Sequence, residues 1–181
     1  MDEIFGVPIQ AFMGQLMLGL VNGSFYALLS LGLAVIFGML NIVNFAHGAL
    51  YMVGAFFAWM LLNYAGINYW MALVLVPLAV GLIGVLIEKF LLQWLQGLDH
   101  LYGLLLTFGL ALMLEGAFRE AYGSSGLPYE LPEVFRGAFD LGFMFLPEYR
   151  AWVVVAALVV CLLTWYVIEK TKLGEIGRAH V

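Results

Sequence analysis

Three polar side chains lie close together in an apolar part of the sequence. Asn41, Asn44 and His47 all belong to "NIVNFAHGALYMVGAF", a stretch that contains no Asp, Glu, Lys or Arg. Amide and imidazole groups can hydrogen-bond a neighbouring helix or a solute, and an imidazole can also relay protons. Because no carboxylate accompanies His47 in its segment, a proton relay is the least favoured of these chemistries.

The composition explains why polar groups are conspicuous here. The chain has 181 residues, of which 65% are hydrophobic and 10% charged, and its mean hydropathy is +1.02. Soluble domains carry about 25% charged residues. The net charge of −5 argues against a polybasic surface for lipid or nucleic acid, and the single Cys161 excludes a disulfide or a cysteine metal site within this chain. These values predict a membrane protein.

We predict an all-α, polytopic transmembrane helical bundle with about five spans, because one span takes roughly 20 apolar residues. The acidic start "MDEIFG" argues against a cleavable signal peptide, so the first span is retained. At 32 residues it would be about 48 Å long, which exceeds the apolar thickness of about 30 Å, and "VNGSF" at 21–25 is the expected break. Pro77 should kink the third span. The predicted spans cover residues 9–40, 44–62, 70–87, 101–118 and 151–168.

The long connection at 119–150 contains three prolines and five acidic residues, which predicts a polar extramembrane loop. Glu115 should pair with Arg119, which follows it by four residues on the same helix. Lys89, Lys170 and Lys172 lie on one side of the predicted spans and Arg119, Arg136 and Arg150 on the other, so the positive charges nearly balance. Because the five acidic residues of the long loop offset its arginines while the lysines border the ends of the spans, we expect a cytoplasmic carboxyl-terminal end and an amino terminus on the outer side.

Small residues recur every three or four positions along the first span, which predicts a face for close helix packing. In the second span Asn44, His47 and Tyr51 share one face with small residues. These polar groups either brace the helices or line and gate a solute route, and both readings stay open. The small residues of the first span are Gly19, Gly23, Ala27, Ser30, Ala34 and Gly38.

The sequence lacks the short motifs that are typical of nucleotide-binding, metal-binding and catalytic sites. There is no phosphate-binding G-x-x-x-x-G-K-[ST] loop, H-E-x-x-H pair, cysteine cluster or nucleophile elbow. We therefore predict no catalytic residue, no metal site and no cofactor, and we expect that this chain does not itself hydrolyse ATP.

A family resemblance extends this interpretation. Residues 20–56, "LVNGSFYALLSLGLAVIFGMLNIVNFAHGALYMVGAF", resemble the opening of permease subunits of branched-chain amino-acid ABC importers. "DHLYGLLLTFGLALMLEG" at 99–116 and "KTKLG" at 170–174 are similar to further stretches of that family. Four residues match its motif positions and, with Tyr51, are the candidates for lining or gating a route. They are Asn22, Ser24, Asn44 and His47.

The resemblance implies a multi-pass subunit in the bacterial cytoplasmic membrane that transports leucine, isoleucine or valine. Its implied partners are a second related permease, two ATPase subunits, an extracytoplasmic substrate-binding protein and membrane lipid. Permeases for urea or short amides look much alike in this region. A structural or assembly subunit that transports nothing is the alternative from a different class.

The last seven residues, "EIGRAHV", depart from the family pattern, in which a basic docking segment follows. Apart from the first base, a DNA sequence that encodes them is the start of a widely used short-read sequencing adapter, followed by a stop codon. We expect residues 1–174 to be the amino-terminal part of a permease domain, and residues 175–181 to be a non-native tail.

Overall fold

The computed structural model describes residues 3–4, 7–40, 44–95 and 97–171. Asn41 and the tail at 175–181 lie outside these ranges, so the expectations placed on them stay predictions. Five long helices dominate the described part, and each is long and apolar enough to cross a membrane. The predicted all-α transmembrane bundle with five spans is confirmed. The helices are α1 (Ile9–Leu40), α2 (Ala46–Ala65), α3 (Tyr69–Phe90), α4 (His100–Tyr122) and α5 (Glu148–Lys170).

The predicted break in the first span is wrong, because α1 is continuous from Ile9 to Leu40. The Ser24 hydroxyl donates to the Val21 carbonyl at 2.6 Å, so it bonds within the helix instead of interrupting it. In an apolar surrounding an unbroken helix keeps its backbone groups paired, which outweighs the low helix propensity of glycine and asparagine. The whole predicted small-residue face of α1 is exposed in this chain, from Gly19 to Gly38.

The second and third helices are separated by a short turn with defined caps. Gly66 has a left-handed backbone (φ 63°) that ends α2, and the Ile67 N–H donates to the Leu61 carbonyl at 2.9 Å. The Asn68 side chain then accepts a hydrogen bond from the Met71 N–H at 3.0 Å, which begins α3. Pro77 lies inside α3, and the helix continues past it to Phe90.

Helix α4 begins at a capping aspartate, because the Asp99 carboxylate accepts from the Leu101 N–H at 3.0 Å. It continues four residues beyond its predicted end at Phe118. The predicted pair between Glu115 and Arg119 is confirmed, with a nitrogen–oxygen distance of 2.6 Å. Both side chains are largely exposed, so the pair adds little stability but supports the extra helical turn.

The chain divides into two compact units, Gly32–Glu130 and the combination of Met1–Leu31 with Leu131–Val181. In the first of these, α2 lies between α3 and α4. Gly54 of α2 lies close to Val76 and Val80 of α3, with only 3.5 Å from Val80 to the position that a Cβ would take. A short 3-10 helix, Leu92–Leu95, connects α3 to α4.

The second unit contains α5, the first part of α1 and short elements that the sequence did not predict. The expected loop at 119–150 is shorter than predicted, since α4 and α5 extend into it. It contains a 3-10 helix, Glu133–Phe135, and a hairpin that pairs Ala138 with Pro147. Gly142 (φ 78°) forms the hairpin turn. The strands are β1 (Glu3–Ile4) paired with β2 (Val7–Pro8), and β3 (Ala138–Asp140) paired with β4 (Phe145–Pro147).

Candidate functional site

The amino-terminal end of α2 collects most of the polar contacts that the sequence led us to expect. The Asn44 side-chain oxygen accepts a hydrogen bond from the Ala46 N–H at 2.9 Å. The backbone carbonyl of Asn44 accepts a second one from the His47 N–H at 3.2 Å. Ala46 is completely buried. Because the first N–H groups of a helix have no partner within the helix, Asn44 satisfies two donors that would otherwise be unpaired in an apolar setting.

Thr107 of α4 supplies the remaining oxygen, and the sequence reasoning missed it. Its hydroxyl accepts from the Phe45 N–H at 3.2 Å and lies 2.9 Å from the Gly103 carbonyl, to which it donates. Thr107 is completely buried. A single threonine within "LLLTFGL" was the available signal, since a hydroxyl inside an apolar span usually bonds a backbone carbonyl or a neighbouring helix. This bond joins α4 to the start of α2.

The His47 imidazole lies against the backbone of α1 at Gly32. A Cβ at Gly32 would be 2.7 Å from Cε1 of the ring and 2.9 Å from Nε2, which is closer than side-chain atoms approach each other. Gly32 is therefore the glycine that gives the imidazole its space. The predicted small-residue face of α1 included Ser30 and Ala34 on either side of it but not Gly32 itself.

The other three candidates are not part of this cluster. Ser24 is buried and bonded to Val21 within α1, whereas Asn22 is exposed. Tyr51 is 59% exposed on α2. The structure thus brings together Asn44 and His47 of the five predicted residues.

Aromatic contacts hold α2 and α4 together along their length. The Phe45 and Phe108 rings meet edge to face at 6.2 Å, near the Thr107 bond. At the other end of the pair, the Phe56 and Phe118 rings are 4.6 Å apart. Residues about 62 positions apart are neighbours at both ends, so the two helices run parallel, and such aromatic pairs each contribute about 0.5–1.5 kcal/mol beyond their buried area.

A cavity of about 500 Å³ lies beside the opposite end of α2, within the same unit. Residues 55–59 of α2, 69–77 of α3 and 126–129 of the following loop contribute to its walls. Tyr129 contributes to these walls, and its hydroxyl is buried without a hydrogen-bond partner. Burial, and secondarily the neighbouring Tyr69, raise the pKa of Tyr129 above its usual value, so this hydroxyl stays a hydrogen-bond donor at neutral pH.

Within the residues that the structure describes, no group of three or more His, Cys, Asp or Glu side chains could hold a metal ion.

Comparison with known proteins gives these features a context. Residues 15–180 match the family described as "Branched-chain amino acid transport system / permease component". The high-affinity branched-chain amino acid transport system permease protein BraD of Pseudomonas aeruginosa is 28% identical over 182 residues, covering 94% of this chain and 59% of BraD. The corresponding LivH proteins of Salmonella typhimurium and Escherichia coli K12 are 29% and 28% identical over 143 residues, covering 72% of this chain and 44% of LivH.

The chain thus spans about half the length of the curated relatives that it matches. No solved structure matches it significantly.

Proposed function

Because this chain belongs to the family of branched-chain amino acid transport permease components, we propose that it forms part of the membrane route of an ABC importer for leucine, isoleucine or valine. The family match over residues 15–180 carries the proposal. The five helices of membrane-spanning length support it, since a solute route through a bilayer requires a bundle of spanning helices.

The proposed transporter lies in the bacterial cytoplasmic membrane. A second related permease completes the route, two ATPase subunits supply the energy, and an extracytoplasmic binding protein delivers the amino acid. These partners are proposed from the family, and they account for the lack of a phosphate-binding motif in this sequence.

Within this proposed function, the polar cluster at the start of α2, formed by Asn44, Thr107 and His47, has two roles. Asn44 and Thr107 are structural in our proposal, because their oxygens are already engaged by the backbone of α2. Alternating access requires groups of helices that move as rigid bodies. The bonds and ring contacts at both ends of α2 and α4 make that pair such a body.

His47 is the proposed gate element, because its imidazole lies in the gap that Gly32 leaves in α1. Asn22 and Tyr51 are the proposed route-facing groups. Asn22 is exposed within an apolar helix, and an amide facing hydrocarbon is unfavourable, so a polar partner or a watered path should face it in the assembled transporter.

The decisive experiment measures ATP-dependent uptake of labelled leucine and labelled urea by the complex produced from the complete gene and its neighbours. We expect leucine uptake that excess isoleucine and valine suppress and urea does not. Urea uptake would show instead that the transported substrates are urea or short amides. A complex that assembles but transports neither solute would favour the structural alternative.

The roles within the cluster are tested in the same complex. We expect Asn44→Ala to lower the amount of assembled complex and transport together, and His47→Ala to lower transport while the complex remains assembled. Unchanged uptake in an assembled His47→Ala complex would exclude the gating role.

A further inference from the structure

The hairpin formed by β3 and β4, residues 138–147, is apolar although it belongs to a connection that was expected to be polar. Its sequence "AFDLGFMFLP" contains a single charged residue, Asp140, whose carboxylate accepts from the Gly142 N–H at 2.8 Å. Phe139 is 52% exposed and Phe145 is 71% exposed. A two-stranded hairpin is marginally stable in water by itself, and a cluster of exposed apolar side chains marks a contact with a partner or a membrane.

The base of this hairpin is fixed to the first turn of α5. Pro147, the last residue of β4, is followed directly by Glu148, the first residue of the helix. The Glu148 N–H donates to the Gly137 carbonyl at 3.0 Å, which ties the other end of the hairpin to the same place. The Phe135 and Trp152 rings stack at 5.6 Å, so the short helix that precedes the hairpin is also held there. The hairpin base therefore stays at the start of α5.

The start of α5 lies at the boundary of the membrane. The helix has 23 residues and measures about 34 Å, only slightly more than the apolar thickness of about 30 Å. The headgroup layer adds about 5–7 Å on each side of the apolar core. Trp152, one turn into the helix, is the residue type that is enriched at this boundary. Because no linker separates the hairpin from α5, its base lies within the headgroup layer.

The distribution of the aromatic rings favours lipid over a single protein surface. Residues that pair across the strands share a face, so Phe139 lies with Leu146, and Asp140 lies with Phe145 on the opposite face. A sheet that packs on protein commonly buries one apolar face and leaves the other polar. Here each face has an exposed aromatic ring. The layer between headgroups and acyl chains can surround a small element on both faces, and it accommodates aromatic rings beside polar groups.

We propose that this hairpin binds the phospholipid surface of the membrane, with the Phe139 and Phe145 rings inserted between the headgroups and the acyl chains. Its attachment to α5 then holds the start of that helix at a fixed depth. The inference is independent of the transported substrate, and its test uses no transport measurement.

The test places a fluorescent probe at each ring position. The complex produced from the complete gene and its neighbours carries Cys161→Ala and no other cysteine, and Phe139→Cys or Phe145→Cys is labelled with a nitrobenzoxadiazole maleimide. After reconstitution into phosphatidylcholine nanodiscs, quenching by a lipid with a nitroxide near the top of its acyl chain is compared with quenching by iodide in the water. We expect both positions to be quenched mainly by the nitroxide lipid. The control Ser125→Cys, exposed in the polar part of the loop, should be quenched mainly by iodide.

Two outcomes would overturn the proposal. Quenching mainly by iodide at either ring position would show that this face of the hairpin is in water. Quenching by neither agent would show that protein covers the hairpin in the assembled complex.

Variants at Phe145 test whether its ring contributes to the insertion. With the probe at Phe139→Cys, Phe145→Asp should reduce quenching by the nitroxide lipid, because a carboxylate is unfavourable in this layer, whereas Phe145→Trp should preserve it. Ser125→Asp adds the same charge to the polar part of the loop and should change nothing. Unchanged quenching in Phe145→Asp, in protein with unchanged helical circular dichroism, would contradict insertion of the Phe145 ring.

Discussion

At the scale of single residues, the start of α2 shows how backbone N–H groups are satisfied without water. The N–H groups of Phe45, Ala46 and His47 bond to oxygens of Asn44 and Thr107. Two of these bonds are local, so the sequence could suggest them from an asparagine just before a helix. The third joins residues 62 positions apart, and no local pattern predicts which helix supplies the oxygen.

Thr107→Val should reveal the cost of losing that long-range bond. Valine has nearly the same shape but no acceptor, so the Phe45 N–H loses its partner, and we expect the free energy of unfolding to fall by about 1–3 kcal/mol. Titration with a denaturing detergent in mixed micelles measures this value. The same replacement at half-buried Thr164 of α5 is the matched control and should change little. Equal losses at both positions would show that the Phe45 bond contributes nothing special.

Gly32→Ala should disturb His47, because the added methyl group would lie 2.7 Å from the imidazole. We expect a loss of about 1–3 kcal/mol in unfolding free energy from overpacking. The control Gly19→Ala has nothing within 4 Å of the new Cβ and should be neutral or stabilising by about 0.4–1 kcal/mol.

A double variant distinguishes a local clash from general damage to α1. With His47→Ala in place, Gly32→Ala should lose most of its effect, since the ring that it strikes is gone. Strictly additive losses in the double-mutant cycle would show that the two residues do not contact each other.

At the scale of elements, hydropathy predicted that each helix exists, whereas the residues at which the helices begin and end depend on capping. The predicted and observed first spans agree, because a run of apolar residues has no other way to pair its backbone groups in a bilayer. The predicted end of α4 at Phe118 was four residues too early, because the charge-free run that marks the span stops at Glu115 whereas the helix does not. Its contact with Arg119 lets both charges reach the surface while the helix continues.

The short strands β3 and β4 were not predicted for a related reason. Each has only three residues, and their pairing depends on the turn at Gly142, whose N–H bonds to the Asp140 carboxylate at 2.8 Å. A three-residue strand offers too short a pattern for alternation to be recognised.

Asn68→Ala should weaken the start of α3. The Asn68 side chain caps the Met71 N–H, and its removal should lower the unfolding free energy by about 0.5–2 kcal/mol. Asn68→Asp keeps the acceptor and should retain most of the stability. Asn63→Ala is the matched control, because the Asn63 amide donates to the Trp59 carbonyl inside α2 and caps no helix start. A larger loss at Asn63 than at Asn68 would contradict the capping role.

At the scale of the whole molecule, the exposed small-residue face of α1 shows the limit of sequence pattern. Its spacing predicts close helix contact, yet every member from Gly19 to Gly38 is exposed in this chain. A pattern of small residues states that a backbone can approach, but not which helix does so or whether that helix belongs to the same chain. The close helix contact of this face stays a prediction, and we expect its partner helix to lie outside the described residues.

The crossing pattern of the five helices gives the last prediction. Gln93 follows α3 and Glu133 follows α4, so the single crossing by α4 places them on opposite sides of the membrane. Lys89 at the end of α3 and Lys170 at the end of α5 favour a cytoplasmic position for Gln93 and an external one for Glu133. Asp2 should then share the outer side with Glu133, because α1, α2, α3 and α4 make an even number of crossings between them.

Cysteine labelling checks each of these positions. In a Cys161→Ala background, Asp2→Cys and Glu133→Cys should react with a membrane-impermeant maleimide in intact cells, and Gln93→Cys only after permeabilisation. The reverse pattern at all three sites would keep the five crossings and invert the orientation. Reaction of both Gln93→Cys and Glu133→Cys in intact cells would mean that α4 does not cross. Since α4 is joined to α2 by the Thr107 bond and by aromatic contacts at both ends, that result would contradict the parallel arrangement on which the proposed rigid pair depends.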